Sequence, residues 1–352
     1  MDYPLLYSLL TLGLLGFVVL YSASGENIDV IYRQAIRFAI GFFVMFLMAQ
    51  ITPDTFRHWS PWCYVAGMLL LIAVLFFGET GKGAQRWLDI GFVRFQPSEL
   101  MKLAVPMMIA WFVSERPLPP RFTWLLGAVG LILLPALLIA QQPDLGTALL
   151  ISAAGFFVLF LAGMRWRLLL GIGGLGLASL PVLWHFMRDY QRTRVITVLN
   201  PESDPLGAGY HIIQSKIAVG SGGTFGKGWL NGTQSHLDFL PERSTDFIFA
   251  VFGEEFGFVG AIAMIALYLF IVARGLYIAA TAQGSYSRLL AGSLSLTFFI
   301  YLVVNLGMVI GLLPVVGVPL PLVSYGGTSI VTLLAGFGIL MSAQAHKRLL
   351  SG

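Results

Sequence analysis

Residues 123–163 read TWLLGAVGLILLPALLIAQQPDLGTALLISAAGFFVLFLAG. Two apolar stretches, 123–141 and 147–163, stand on either side of a short polar segment that contains Asp144. A helix needs roughly 20 apolar residues to cross a hydrocarbon core about 30 Å thick, and both stretches are close to that length. This part of the chain therefore predicts two membrane-spanning helices joined by a tight turn.

The same pattern of apolar stretches extends along the whole chain of 352 residues. Of these residues 57% are hydrophobic and 11% are charged, whereas a soluble domain carries roughly 25% charged residues. The first span is interpreted as a transmembrane helix rather than a signal peptide, because no positive leader precedes it. The fold class is therefore an all-α polytopic membrane protein. Ten spans are predicted, at residues 4–22, 35–51, 61–77, 97–113, 123–141, 147–163, 166–187, 246–273, 287–313 and 327–345.

Basic residues are divided unequally between the two sides of the predicted bundle. One side holds both termini and nine of the 21 Lys and Arg residues, but only three of the 17 Asp and Glu residues. Because cytoplasmic loops are enriched in Lys and Arg, both termini are predicted to be cytoplasmic. The net charge of +4 thus reflects membrane topology, and no nucleic-acid partner is predicted. The nine bases are Arg57, Arg116, Arg121, Arg165, Arg167, Arg274, Arg288, Lys347 and Arg348.

The connections on the opposite, extracytoplasmic side include long polar segments. Residues 78–96 form one loop, and residues 188–245 form a large loop between the seventh and eighth spans. Within it, residues 210–219 place isoleucines at helical spacing, which predicts an interfacial helix. Segment 314–327 contains three prolines and is too broken for a helix. No repeat of fixed period is present, so the chain is interpreted as one membrane domain, 1–352.

Several acidic residues are predicted to lie near this side. Glu99 and Lys102, at the start of the fourth span, are three positions apart and would share one helix face. They could be an ion pair that allows two charges to sit in the membrane, or a functional pair. Asp144 could be a turn or cap residue, and Asp246, at the start of the eighth span, could be a helix cap. Each of these side chains is also a candidate for a functional site.

Cations accompany these carboxylates, among them Arg86, Arg194 and Lys227. The glycine-rich run around Lys227 does not match a P-loop, because Ser221 and Gly228 occupy positions that require a glycine and a hydroxyl residue. Lys227 could still contact a phosphate. A membrane-level site of carboxylates and cations suits a phosphorylated lipid, since cations hold a pyrophosphate and a carboxylate can take a proton.

Six segments together resemble the shape, elongation, division and sporulation family of membrane proteins, and most closely its rod-shape members. Each segment alone is weak evidence, but their order and their common side make the resemblance specific. The segments are Lys82–Trp87, Gln96–Glu99, Gln142–Thr147, Gly209–Gly228, Leu240–Glu242 with Thr245–Phe247, and Pro319–Pro321 with Ser324–Gly327.

The resemblance implies a peptidoglycan glycosyltransferase of the bacterial inner membrane, with ten transmembrane helices in a GT-C-like arrangement and an active site that faces the periplasm. Its substrate would be lipid II, a disaccharide-pentapeptide on undecaprenyl pyrophosphate, polymerised by inverting β-1,4 transglycosylation for cell elongation and rod shape. The implied partners are a class B penicillin-binding protein and other membrane proteins of the elongation complex.

The family's functional residues fall on matching positions of this chain. Its essential aspartate falls on Asp246, the predicted catalytic base, its charged pair on Glu99 and Lys102, and its loop arginine on Arg86. No cofactor is required by the resemblance, although a divalent cation, Mg²⁺ or Mn²⁺, could help to hold the pyrophosphate. Further candidates for substrate binding or support are Gln85, Asp144, Arg194, Lys227, Glu242 and Ser324.

Two other functions are compatible with a polar site in a helical bundle. A lipid II flippase would also place polar residues within helices, but it should carry acids and bases at mid-depth and an inverted repeat. A non-catalytic scaffold for a cell-wall synthase would explain the surface but not the combination of Asp246, Glu99 and Lys102.

Overall fold

The structure is a computed structural model that describes residues 2–81, 84–89, 94–187, 189–204, 207–233 and 242–346. Helices account for most of the described chain, and a 3-10 turn at Pro201–Ser203 separates two of them. The helices are α1 (Tyr3–Ala23), α2 (Ile28–Gln50), α3 (Pro53–Phe77), α4 (Pro97–Ser114), α5 (Phe122–Gln141), α6 (Leu145–Leu161), α7 (Trp166–Phe186), α8 (Asp189–Leu199), α9 (Ala208–Ser221), α10 (Ile248–Thr281), α11 (Ser285–Val309) and α12 (Thr328–Ala345).

Ten of these helices, all except α8 and α9, correspond to the ten predicted spans, so the polytopic all-α fold class is confirmed. Seven of them are long and apolar enough to cross a membrane. The other three are α4, which carries Glu99 and Lys102, and α6 and α7, whose apolar runs within the described chain are shorter. The protein is a multi-pass membrane protein.

Two helices begin well before the predicted spans, α2 at residue 28 rather than 35 and α3 at residue 53 rather than 61. Charged residues interrupt the apolar pattern in both extra segments, Asp29 and Arg33 in α2 and Asp54 and Arg57 in α3. A side-chain oxygen of Asn27 or Thr52 caps each helix by accepting hydrogen bonds from free backbone N–H groups. The apolar pattern marks only the part of a helix that lies in hydrocarbon, which is why it missed these turns.

A small antiparallel sheet occupies the polar loop between α3 and α4, where no strand was predicted. Its strands are β1 (Glu79–Gly81), β2 (Ala84–Asp89) and β3 (Arg94–Phe95), in the order β1-β2-β3. Strand β2 packs against α3 and α4. The predicted helix in residues 210–219 is confirmed as α9, which packs against α10 and α11. We call the end of the bundle that carries the sheet and α9 the sheet end.

The buried apolar residues form two large clusters that meet at α11. One cluster draws mainly on α1, α2, α10 and α12, and the other on α3 to α6. Helix α11 contributes to both, through Phe298 to the first and Leu290 to the second. It is therefore a central helix, and the polar side chains near its C-terminal end face other helices rather than lipid.

Helix α10 contains a break at Gly257, whose φ of 65° and ψ of −164° are not helical. The loop after α9 is bound to this break: the N–H groups of Lys227 and Gly228 donate to the carbonyls of Glu254 and Glu255, each at 3.0 Å. A Cβ on Gly257 would lie 2.2 Å from the backbone nitrogen of Gly226, so only glycine fits here. The first part of α10 is thereby fixed to the 222–228 loop.

Candidate active site

A cavity of about 420 Å³ opens at the sheet end, between the starts of α4, α6, α10 and α12 and the end of α11. Its walls combine carboxylates, cations and backbone amides, in contrast to the apolar core below it. The lining includes Arg86, Trp87, Gln96, Glu99, Lys102, Asp144, Thr147, Glu242, Thr245, Asp246, Tyr301, residues 317–321 and residues 324–330.

Asp246 is partly exposed and lies against the segment that connects α11 to α12. Its Oδ2 would be 3.6 Å from a Cβ placed on Gly317, so the carboxylate lies directly beside that glycine. The N-cap residue of α10 is Phe247, one position after Asp246, and it has no side-chain cap bond. The structure therefore does not place Asp246 in the predicted capping position, and its carboxylate faces the cavity instead.

The residues around Asp246 are held by hydrogen bonds from the same connecting segment. Ser324 donates its hydroxyl to the carbonyl of Thr245 and accepts the N–H of Leu320 at 2.9 Å. The N–H of Tyr325 donates to the carbonyl of Ser244 at 2.8 Å. Ser324 thus holds the backbone next to Asp246, and its role in substrate binding or support stays a prediction.

Glu99 and Lys102 form a close ion pair in the first turns of α4. The Lys102 ammonium lies 2.7 Å from Oε1 of Glu99, and the two side chains are 11% and 7% exposed. Oε2 of Glu99 is buried and, among the described residues, has no hydrogen-bond partner. Lys102 also lies 5.5 Å from the ring centroid of Tyr301, a favourable distance for a cation. The predicted ion pair is therefore confirmed, and both residues also line the cavity, while their functional role stays a prediction.

Arg86 and Asp144 form the wall nearest the sheet. Arg86 donates from Nε to the carbonyl of Gln142 at 3.3 Å and from its guanidinium to that of Pro143. Its Nη1 lies 3.8 Å from Oδ2 of Asp144. Asp144 caps α6 by accepting the N–H of Thr147 at 3.2 Å. The predicted turn role of Asp144 is therefore confirmed, and the same carboxylate also lines the cavity.

Glu242 contributes a fourth carboxylate at the rim of the cavity. It accepts the hydroxyl of Thr245 at 2.8 Å and is exposed. Together with Glu99, Asp144 and Asp246 it gives the cavity an acidic component beside Lys102 and Arg86. In the described part of the chain, no three His, Cys, Asp or Glu side chains are grouped closely enough to hold a metal ion.

Comparison with known proteins places this chain among cell-wall proteins. A sequence model for FtsW, RodA and SpoVE, described as cell cycle proteins, matches residues 3–349. The chain belongs to the FtsW/RodA/SpoVE family. It is 54% identical to the peptidoglycan glycosyltransferase MrdB of Escherichia coli K12 over 352 residues, which are 100% of this chain and 95% of the relative. It is 35% identical to stage V sporulation protein E of Bacillus subtilis over 358 residues, 98% of this chain and 97% of the relative.

Solved structures of related proteins have the same fold. A chain from a peptidoglycan synthase complex, studied for its coordination of polymerisation and crosslinking, shares 35% identity and a TM-score of 0.86, and the match covers 99% of this chain and 98% of that one. The crystal structure of the rod shape determining protein RodA of Thermus thermophilus shares 31% identity and a TM-score of 0.74, with 98% and 96% covered. The predicted resemblance to rod-shape members is confirmed.

Three of the predicted site residues of this FtsW/RodA/SpoVE protein are not among the described residues that line the cavity. The Lys227 ammonium binds Glu254 at 2.7 Å and the hydroxyl of Thr233 at 2.8 Å, away from the cavity lining. Arg194 is an exposed residue of α8 and is also absent from the lining. The backbone of Gln85 belongs to β2, but its side chain lies outside the described part.

Two site residues of this FtsW/RodA/SpoVE protein were not predicted from the sequence, Tyr301 and Asn305 of α11. Both are buried, at 3% and 0% exposure, and they lie four positions apart on one face of the helix. Tyr301 lines the cavity beside Lys102, and Asn305 lies behind Asp246. The available signal was a pair of polar residues inside a predicted membrane span, which is a mark of function.

Proposed function

We propose that this protein is a peptidoglycan glycosyltransferase that polymerises lipid II. The proposal depends on one observation: the carboxylate of Asp246 and the cations Lys102 and Arg86 line a single cavity at the end of a membrane bundle. That combination suits a reaction in which a sugar hydroxyl loses a proton while a lipid pyrophosphate leaves. The relative with 54% identity carries the name of this activity.

Asp246 acts as the general base in this mechanism. The 4-hydroxyl of the acceptor GlcNAc attacks the anomeric carbon of the donor MurNAc, and its proton passes to the carboxylate as the new bond forms. The bond between the anomeric carbon and the pyrophosphate oxygen breaks in the same step. An α-linked donor then yields a β-1,4 bond by direct inversion, so no covalent glycosyl-enzyme carboxylate is needed.

Lys102 and Arg86 stabilise the leaving undecaprenyl pyrophosphate. Negative charge on its phosphates grows as the glycosidic bond breaks, so fixed cations favour the transition state over the ground state. Glu99 holds the Lys102 ammonium in place at the cavity wall through their 2.7 Å ion pair. If a divalent cation were bound, the carboxylates of Asp144 and Glu242, which line the same cavity, would be its protein ligands, and it would supply further positive charge for the leaving pyrophosphate.

In this proposal the protein lies in a bacterial inner membrane. Its cavity opens toward the periplasm, and both termini lie on the cytoplasmic side. The distribution of Lys and Arg residues supports that orientation. The partner is a class B penicillin-binding protein that crosslinks the product within the elongation complex. The related chain that belongs to a peptidoglycan synthase complex supports such an assembly.

The test uses purified protein, with and without the partner transpeptidase, mixed with labelled lipid II in detergent. We expect glycan strands from the wild type and a loss of about 10²–10⁴-fold with Asp246→Asn, which keeps the size of the side chain but cannot take a proton. Glu115→Gln is a matched control, because this carboxylate pairs with Arg57 on the surface and is 41% exposed. Polymerisation at the wild-type rate by Asp246→Asn would remove the base assignment.

A flippase is the main alternative, and the same protein in proteoliposomes distinguishes it. The polar residues of the cavity lie at one end of the bundle, where α4, α6, α10 and α12 begin, whereas a transport path requires them across its depth. Movement of labelled lipid II between leaflets, without glycan formation, would favour the flippase. Absence of both activities, with retained binding of the transpeptidase, would favour a scaffold.

A further inference from the structure

Asn305 is a fully buried polar residue near the C-terminal end of α11, in the otherwise apolar run Leu302–Leu306. Its side-chain Nδ2 donates one hydrogen bond to the carbonyl of Asp246 at 2.9 Å and another to the carbonyl of Val318 at 2.8 Å. Both hydrogens of the amide are therefore used, and both acceptors belong to the walls of the cavity. Asn305 itself does not line the cavity.

The orientation of this amide is fixed by its partners. Both neighbours are carbonyl oxygens, which only accept, so the NH₂ group rather than Oδ1 must face them. Oδ1 is buried and has no hydrogen-bond partner among the described residues. A buried acceptor without a partner destabilises the folded protein, so stability alone does not account for an asparagine at this position.

The two acceptors belong to the two segments that carry and contact the Asp246 carboxylate. One is the backbone of Asp246 itself, and the other is Val318, the residue after Gly317. Gly317, with a φ of 74°, is the residue against which Oδ2 of Asp246 lies. Asn305 therefore joins the residue that precedes α10 to the connecting segment beside which the carboxylate lies.

We propose that Asn305 is a positioning residue for Asp246, an inference that rests on the proposed transglycosylation. Asn305 makes no contact with the reacting atoms, but it sets where the carboxylate stands relative to an acceptor hydroxyl. A displacement of about 1 Å in a catalytic group can lower a rate by about 100-fold. Ser324 and Tyr325 hold the two preceding residues independently, so loss of Asn305 moves the carboxylate without releasing the whole segment.

The experiment compares Asn305→Leu and Asn305→Ser with the wild type in the lipid II polymerisation assay. Leucine has the same heavy-atom branching as asparagine, with larger terminal groups, and removes both donors, whereas serine is smaller and cannot reach both carbonyls. We expect kcat per folded molecule to fall about 10- to 100-fold in both variants while KM for lipid II stays within about twofold. A purely structural residue would instead lower the amount of folded protein and leave kcat per folded molecule unchanged.

Ser295→Ala is the matched control, because Ser295 is a buried polar residue of the same helix that donates only to the carbonyl of Ala291. We expect wild-type kcat and KM from this variant. Wild-type kcat in Asn305→Leu and Asn305→Ser, or a loss confined to KM, would overturn the positioning role. Glycan strands from the wild type in the same assay separate that outcome from a failure of the proposed function, in which the wild type itself makes none.

Discussion

Glu99 and Lys102 are the residues for which a structural and a functional role are hardest to separate. Their side chains are nearly buried and 2.7 Å apart, and Lys102 also faces the cavity. Removing one member of a buried ion pair leaves an isolated charge and typically lowers the free energy of unfolding by about 3–5 kcal/mol. Replacing both members by uncharged residues often changes that free energy little. The two roles can therefore be distinguished by comparing single and double variants.

We expect Glu99→Gln and Lys102→Met to lower the thermal midpoint of the purified protein when each is made alone. The double variant should recover most of that stability but not glycan synthesis, because the cation that faces the pyrophosphate is missing. Thermal unfolding and the lipid II assay provide the two measurements. The Arg57–Glu115 pair, whose side chains are 39% and 41% exposed, is the control, since an exposed pair contributes about 0–1 kcal/mol. Recovery of polymerisation by the double variant would contradict the role of Lys102.

The charged residues of this site could be predicted from the sequence, because charged side chains are unusual in or beside membrane spans. Asp246, Glu99, Lys102, Arg86 and Asp144 were all expected near one side, and all five line the cavity. The contacts of Asn305 could not be predicted, because they join residues 59 and 13 positions away in the chain. Which residues face each other across helices depends on tertiary packing, and local spacing contains no information about it.

At the scale of elements, the attachment of the 222–228 loop to α10 gives Lys227 a role different from the predicted phosphate contact. Glu254 is fully buried, and its Oε1 accepts hydrogen bonds from Lys227 at 2.7 Å and Thr233 at 3.1 Å. Two backbone bonds and the break at Gly257 lie beside this ion pair. The pair therefore joins the loop to the helix whose start carries Asp246.

Lys227→Met should lower the thermal midpoint, because it removes the ammonium 2.7 Å from a buried carboxylate, a loss of about 3–5 kcal/mol. Adding Glu254→Gln should restore most of the stability. In both variants we expect KM for lipid II to remain near the wild-type value, because Lys227 does not line the cavity. A large rise in KM for the stable double variant would instead support the predicted phosphate contact of Lys227.

The helices were easier to predict than the structure between them. Hydropathy located ten helices, of which seven are long and apolar enough to cross a membrane. The strands β1 and β3 have only three and two residues, too few for an alternating pattern to be recognised. The break at Gly257 was missed for a different reason: glycine is common in membrane helices, and only the approach of the 222–228 loop distinguishes this one.

At the scale of the whole molecule, α10 connects the active-site end to the opposite end of the bundle. The part of α10 after the break at Gly257, which ends at Thr281, has 24 residues and is about 36 Å long at 1.5 Å per residue. Asp246 precedes the first turn of α10, and Arg274 near its other end binds Asp2, the residue that caps α1. A change at Asp2 should thus affect the stability of the bundle without affecting the chemistry at the cavity.

Asp2 is 3% exposed and accepts hydrogen bonds from Arg274 at 2.7, 3.0 and 3.2 Å and from the N–H of Leu5 at 3.1 Å. Burial by itself raises the pKa of Asp2, but the hydrogen bonds and charge of Arg274 outweigh it, so the pKa is lowered from its usual value. A carboxyl with a lowered pKa in the folded state stabilises that state at neutral pH, and the stabilisation is lost as the pH falls through the lowered pKa.

Asp2→Asn removes the charge of this side chain but keeps its capping of α1, because asparagine is also a good helix cap. We expect the variant to unfold at a lower temperature than the wild type at pH 7. Hydrogen bonds to a charged group contribute about 1.5–3 kcal/mol to the free energy of unfolding, and the variant loses this contribution. The difference in unfolding temperature should shrink as the pH falls below about 4, where an unfolded Asp is protonated, and vanish below the lowered pKa.

At pH 7, kcat per folded molecule of Asp2→Asn should equal that of the wild type, in contrast to Asn305→Leu. A constant difference in unfolding temperature from pH 7 to pH 3 would show that the charge of Asp2 does not stabilise the bundle.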